Sequence, residues 1–221
     1  MGLENEGGGD RIYLNIYQGK MARKVKADTP DAETRINKNN DTVHELLYDT
    51  LMGRIENIVV WDGEFGKQWN ITIADADNEY QLSLPYSSSY ANGLLTRLPN
   101  VRLGDLVKIK TYYIESDKDG KMRGYLVLHQ KNEQGVWQKV NPYFTKEEPN
   151  GLPDMVQITV KGQKVWDDTD RLGFFEKLVA DEIVPTIKKE NPLSEAAAEE
   201  VAAEFENSPN AKEEEASDLP F

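Results

Sequence analysis

The sequence predicts a mainly β domain with a five-stranded core, extra strands, a C-terminal amphipathic helix and a disordered acidic tail. Three observations carry this. Apolar and polar residues alternate along several short segments between Arg11 and His129, the period of a half-buried strand. Gly, Asp and Asn pairs separate these segments, as hairpin turns require. Acid is concentrated at one end: residues 147–221 hold 19 Asp/Glu against 7 Lys/Arg, while residues 1–146 hold 20 against 19. The net charge of -13 therefore excludes a uniformly basic surface but leaves room for a basic groove on the body.

A chain of 221 residues has material for one domain with appendages. The expected division is a flexible 1–10 containing Gly7-Gly8-Gly9, a domain over 11–190 with its barrel core at about 50–130, and an acidic linker and tip over 191–221. Cysteine is absent and the histidines are His44 and His129 alone, so neither a disulfide framework nor a Cys/His zinc site can be built. No secretory signal or apolar span of transmembrane length is visible, and a soluble, cytoplasmic protein without cofactor is expected.

In chain order, Ile12, Leu14 and Ile16 alternate with Tyr13, Asn15 and Tyr17 in a first strand. After a turn at Gly19, Met21 to Lys26 forms a second, where Lys20, Arg23, Lys24 and Lys26 make the densest basic cluster. Two readings are open for it: phosphate contacts, or the solvated lysines of an edge strand. Residues 27–41 are polar and read as a loop; Thr42 to Asp49 fits either a short helical turn opened by a Thr42/Glu45 capping box, which is preferred, or a strand built on its β-branched and apolar residues. Leu51 to Trp61 is a long strand with Leu51, Gly53, Ile55, Val59 and Trp61 on one parity, Gly53 permitting a bend. Gln68 to Asp75 and Glu79 to Tyr86 complete a meander.

A short helix over Ser87 to Leu98 follows, although Gly93 weakens it, and then strands from Val107 to Ile114 and from Arg123 to His129. Val136 to Val140 and a hairpin over Met155 to Trp166 turning at Gly162 are expected to extend the sheet or form a dimer edge. Thr169 to Lys189 is an amphipathic helix with Leu172, Phe175, Val179 and Ile183 along its stripe, interrupted at Pro185.

The order strand-strand-strand-helix-strand-strand resembles the oligonucleotide-binding (OB) fold, which takes single strands across its second and third strands and their flanking loops. The final residues Glu213, Glu214, Glu215, Asp218, Leu219, Pro220 and Phe221 add a second resemblance. An acidic run closing on Asp-Leu-Pro-Phe is similar to the Asp-Ile-Pro-Phe tip of bacterial single-stranded-DNA-binding proteins and to the acidic, Phe-ending tails of phage replication proteins of that class. Pro220 stiffens the segment, so a partner with an apolar pocket and basic surroundings can take the Phe221 ring and carboxylate. The resemblance implies a sequence-independent binder of single-stranded DNA in replication, recombination and repair. Its tip would recruit replication proteins such as a polymerase, helicase or primase, and a homo-oligomer is compatible with it. The absence of a zinc site departs from some phage members.

A single-strand groove needs cations for phosphates and aromatic faces for bases. Lys108, Lys110 and Tyr112 share one parity opposite Val107 and Ile109, and Arg123 and Tyr125 share one opposite Leu126 and Leu128. The expected contacts are Trp69, Tyr112 and Tyr125 for stacking and Arg54, Lys108, Lys110 and Arg123 for phosphates. Trp69 also shares its parity with Ile71 and Ile73, which leaves a core role open.

Enzymatic signals are thin. Asp75, Asp77 and Glu79 begin like a calcium loop, but Tyr80 stands where the glycine is required, so they read as a polar turn. Asp167, Asp168 and Asp170 suit a helix N-terminus as well as they suit Mg²⁺. The protein is expected not to be an enzyme. The alternatives are an assembly adaptor acting through its tail alone and a metal-dependent nucleic-acid enzyme.

Overall fold

The computed structural model describes residues 11–37, 39–63, 66–117 and 120–190, so the flexible N-terminus and the acidic linker and tip expected from sequence lie outside the described residues. The fold is mainly β. Ten strands form one sheet: β1 (Ile12–Tyr17), β2 (Lys20–Lys24), β3 (Glu33–Ile36), β4 (Thr42–Tyr48), β5 (Thr50–Gly63), β6 (Gly66–Ala74), β7 (Glu79–Pro85), β8 (Val107–Glu115), β9 (Met122–Lys131) and β10 (Trp137–Lys139). Their spatial order is β10-β9-β8-β5-β6-β7-β1-β2-β4-β3, antiparallel throughout except where β1 runs parallel to β7. A separate two-stranded sheet pairs β11 (Val156–Val160) with β12 (Gln163–Asp167).

The sheet curls without closing its ladder. β2 lies five places from β8 in the strand order, yet the Thr111 hydroxyl on β8 donates to the Gly19 carbonyl in the β1–β2 turn at 2.7 Å. Only a strongly twisted and coiled sheet can bring those strands together. The inward faces of β5, β6, β7, β8 and β9 supply Ile55, Ile58, Trp69, Ile71, Ile73, Leu82, Leu84, Ile109 and Leu128, all essentially inaccessible.

Two helical pieces cover this core. The helix α1 (Ser89–Leu95) is capped by the Ser88 hydroxyl accepting from the Ala91 amide and buries Leu94 and Leu95. Gly93, a poor helix former, is explained by packing: a Cβ there would lie 2.8 Å from the Leu126 carbonyl oxygen of β9. The second piece is α2 (Thr169–Leu178), a π-helical turn (Val179–Ile183) and α3 (Val184–Glu190). Pro185 does not end it. The wider π turn precedes the proline and relieves the backbone where its missing amide breaks the regular ladder. Phe175, Val179, Ile183 and Ile187 carry its apolar stripe into the core.

Several sequence expectations are corrected. Thr42–Tyr48 is a strand and not a helical turn, because pairing with β2 and β3 on either side outweighs the local capping signal. The polar stretch 27–41 contains β3, which is held by a bidentate Arg35–Glu45 pair and by Arg35 lying 3.9 Å over the Tyr17 ring. The basic strand β2 is not an edge, since β1 and β4 flank it. The 155–166 hairpin does not extend the main sheet. In β5 the ladder with β6 slips between Ile55 and Asn57, so Ile58 turns inward while Val59 and Trp61 are about half exposed.

Trp69, expected among the stacking residues, is fully buried. Its ring stacks on Tyr86 at 5.6 Å and its indole N–H donates to the Tyr86 carbonyl at 3.2 Å. Trp69→Ala should therefore lower stability by about 3–5 kcal/mol in denaturant unfolding. A ligand-binding role would instead leave the unfolding midpoint in place.

Candidate nucleic-acid interface

The alternation that buries Val107, Ile109 and Thr111 turns Lys108, Lys110 and Tyr112 to the opposite face of β8. Register then assembles a surface from four strands. Met52, Lys108, His129 and Lys139 form one cross-strand row over β5, β8, β9 and β10. Thr50, Lys110 and Val127 form the next, followed by the Tyr112–Tyr125 pair and then Ile114 with Arg123. Arg54 lies one pleat beyond Met52 on the same side of β5. Five of the expected contacts, Lys108, Lys110, Tyr112, Arg123 and Tyr125, thus share one face with Arg54 beside them.

Tyr112 and Tyr125 expose about two fifths of their surface, 41% and 42%, enough to offer a ring face while the backbone is held. The Tyr90 hydroxyl donates to the Tyr112 carbonyl at 3.3 Å. Behind them, Gly19 lets the β1–β2 turn approach: a Cβ there would sit 2.4 Å from the Tyr113 amide nitrogen. A groove of about 680 Å³ runs alongside, between Tyr112, Tyr125 and His129 on the sheet and Asn92 of α1 with Arg97 just beyond that helix. Arg97 is committed to backbone carbonyls, donating to Gly93 at 2.6 Å and Val140 at 3.2 Å.

Three contributors escaped sequence reading. Trp137 on β10 receives the Lys108 ammonium at 4.3 Å from its ring centroid and Lys131 at 5.6 Å, a cation–aromatic cluster on the same face. Lys139 extends the basic row, with His129 standing between it and Lys108. Their alternation was visible, but nothing local fixes that β10 pairs with β9, or in which register.

The residues Lys20, Arg23, Lys24 and Lys26 have different surroundings. Lys20 pairs with Asp49 at 2.7 Å, and Lys24 stands opposite Glu45. Arg23 lines a cavity of about 420 Å³ that includes Thr50 and Met52, the register partners of Lys110 and Lys108. Lys26 lies beyond the end of β2. The second and third strands of the meander, β6 and β7, carry Gln68, Thr72, Gln81 and Ser83 between their buried positions, a neutral set without aromatic faces. The expected tip residues from Glu213 to Phe221 lie outside the described residues.

The acidic candidates have local partners. Asp75 accepts from the Asp77 and Asn78 amides at 2.9 and 2.8 Å and from the Tyr80 hydroxyl at 2.9 Å, closing a hairpin turn. Those amide hydrogen bonds hold its carboxyl below the usual range. Asp167 accepts from the Thr169 amide and hydroxyl, and Asp168 from the Ser87 hydroxyl. Among the described residues no group of three His, Asp or Glu side chains is arranged to hold a metal ion. No described helix is long and apolar enough to cross a membrane.

Comparison of the chain with known protein families, with curated proteins and with solved structures finds no match.

His129 reports the electrostatics of this face. Burial lowers its pKa first, and the charges of Lys110, Lys108 and Lys139 lower it further. Because the folded value is depressed, the unfolded chain binds the proton more readily. Stability is full above the ordinary value of 6.5 and falls as pH drops from there through the folded value. An NMR titration should place the His129 midpoint below 6.5, and Lys110→Met should raise it without restoring it fully.

Proposed function

We propose that this chain is a sequence-independent single-stranded-DNA-binding protein acting in replication, recombination and repair, of the phage replication type. It protects exposed strands on its body and recruits replication proteins through the acidic segment 191–221. The observation that carries the reading is the continuous band across β5, β8, β9 and β10, where Lys108, Lys110, Arg123 and Lys139 surround the Tyr112–Tyr125 pair and Trp137. Cations along a path neutralise phosphates, and ring faces beside them stack with any base, which gives affinity without sequence readout.

The curled β5–β9 region is, in this reading, the core of an OB-type barrel. Support comes from the order of three strands, a helix and two strands, and from β5 pairing with both β6 and β8. The departure is that β7 pairs with β1 and not with β9, so the extra N-terminal strands occupy the closing position. The strand path is shifted accordingly, from β6 and β7 to β8 and β9.

Titrating intrinsic tryptophan fluorescence with oligo-dT and with matched duplex across a salt series tests the reading. Saturable quenching by the single strand, weaker with salt and absent for duplex, is expected. Lys108→Ala and Lys110→Ala should each reduce the slope of log affinity against log salt by about 0.7. Tyr112→Ala or Tyr125→Ala should cost about 1–3 kcal/mol of binding. No binding to either nucleic acid, with or without residues 191–221, sinks the reading and leaves the adaptor alternative. Mg²⁺-dependent cleavage would point to the enzyme.

Residues 195–221 carry nine acids against one lysine, enough to compete with phosphates for the band. A chain ending at Glu190 should bind oligo-dT more tightly than the full chain at low salt, with the difference shrinking as salt rises. Equal affinities at low salt would remove the competition.

A further inference from the structure

The β11–β12 hairpin has a well-specified turn but no cover. Lys161 and Gly162 both have positive φ, 50° and 81°, the two-residue turn that matches the twist of paired strands. Every residue of β11 is exposed, and so are four of the five in β12. Register places Val156, Ile158, Val160 and Val165 on one face, with exposures of 56, 38, 47 and 39%, while Trp166 lies on the other face opposite Gln157. An isolated two-stranded hairpin is marginal in water, and a β-branched stripe left open on it is a site for association.

Charge along the hairpin is polarised. Lys161 and Lys164 stand at the tip, and Asp154, Asp167, Asp168 and Asp170 cluster at the base. Neither lysine enters an ion pair among the described residues. Five residues of strand separate tip from base by about 17 Å, too far for the two ends to pair within one chain. A second copy turned through a two-fold axis places each tip over the other's base and each aliphatic stripe on its equivalent. A nucleic acid does not fit this face, which offers aliphatic side chains with Gln163 and the Asp167 carboxylate and no aromatic ring.

We propose that this face of β11–β12 is a homodimer interface, formed by two hairpins packed antiparallel with Lys161 of each against the acidic base of the other. The contact is small and belongs among weak, exchanging interfaces, with dissociation in the micromolar range, on the order of 1–100 μM. The inference stands apart from the single-strand reading, because the hairpin face and the band on β8–β9 share no residue.

Analytical ultracentrifugation of the full chain across about 1–300 μM at low salt tests it. A concentration-dependent monomer–dimer equilibrium is expected, and Ile158→Glu should abolish it with unchanged circular dichroism. Lys161→Glu and Asp154→Lys should each weaken dimerisation about fivefold or more alone. Mixed together they should restore it, since both ends of the heterodimer then pair opposite charges. A wild-type chain monomeric over that range, or Ile158→Glu associating as the wild type does, overturns the interface. Failure of the mixed pair to recover overturns the antiparallel arrangement. Affinity of Ile158→Glu for an oligonucleotide spanning one chain should equal that of the wild type, which separates this result from any failure of the single-strand reading.

Discussion

The structure depends on one strand serving two partners. β5 pairs with β8 through Thr50–Gly53 and with β6 from Arg54 onward, and it slips by one residue between Ile55 and Asn57. Before the slip Leu51, Gly53 and Ile55 point inward; after it Ile58 does. Without that extra residue the strand would keep a single parity and could not follow the sheet as it curls. Val59 or Trp61 would then compete with Ile58 for the interior. The bulge strengthens the local twist, and the twist brings the β1–β2 turn against β8.

The second consequence of the curl is electrostatic. An acidic chain would ordinarily repel a polyanion, yet the body outside the last 75 residues is close to neutral, and its cations are not evenly spread. Register gathers Lys108, Lys110, Lys139 and Arg123 over a few strand spacings, while Lys20, Arg35 and Arg102 are tied to carboxylates elsewhere. Burial is the main cause of the depressed pKa of His129, and the like charges of Lys110, Lys108 and Lys139 lower it further. Lys108 over Trp137 holds an ammonium beside an aromatic face, and among the described residues it enters no ion pair.

Around this band the packing is tight where the tyrosines are anchored and loose where chain segments project. α1 approaches β9 closely enough to require Gly93, and the long C-terminal helix is threaded past Pro185 by a π turn to bury Val179, Ile183 and Ile187. Tyr86 ties the two layers together: its ring stacks on Trp69 and its hydroxyl donates to Glu176 at 2.5 Å, which holds that carboxyl below its usual range. The hairpin β11–β12 shares none of this and leaves a stripe of branched side chains in solvent.

Strand identity was legible wherever a period of two ran long enough, as in β5 to β9, and so was the parity that separates Lys108, Lys110 and Tyr112 from Val107 and Ile109. The division of charge along the chain was legible too, because composition needs no coordinates. Tertiary structure alone decided what non-local pairing controls. It made Thr42–Tyr48 a strand between β2 and β3, withdrew Trp69 into the core, reversed the parity of β5 past Ile55, and added Trp137 and His129 to the band. The physical reason is that alternation specifies which residues of a strand share a face, whereas strand order and register specify which faces meet. Those are set by backbone hydrogen bonds between residues far apart in the chain.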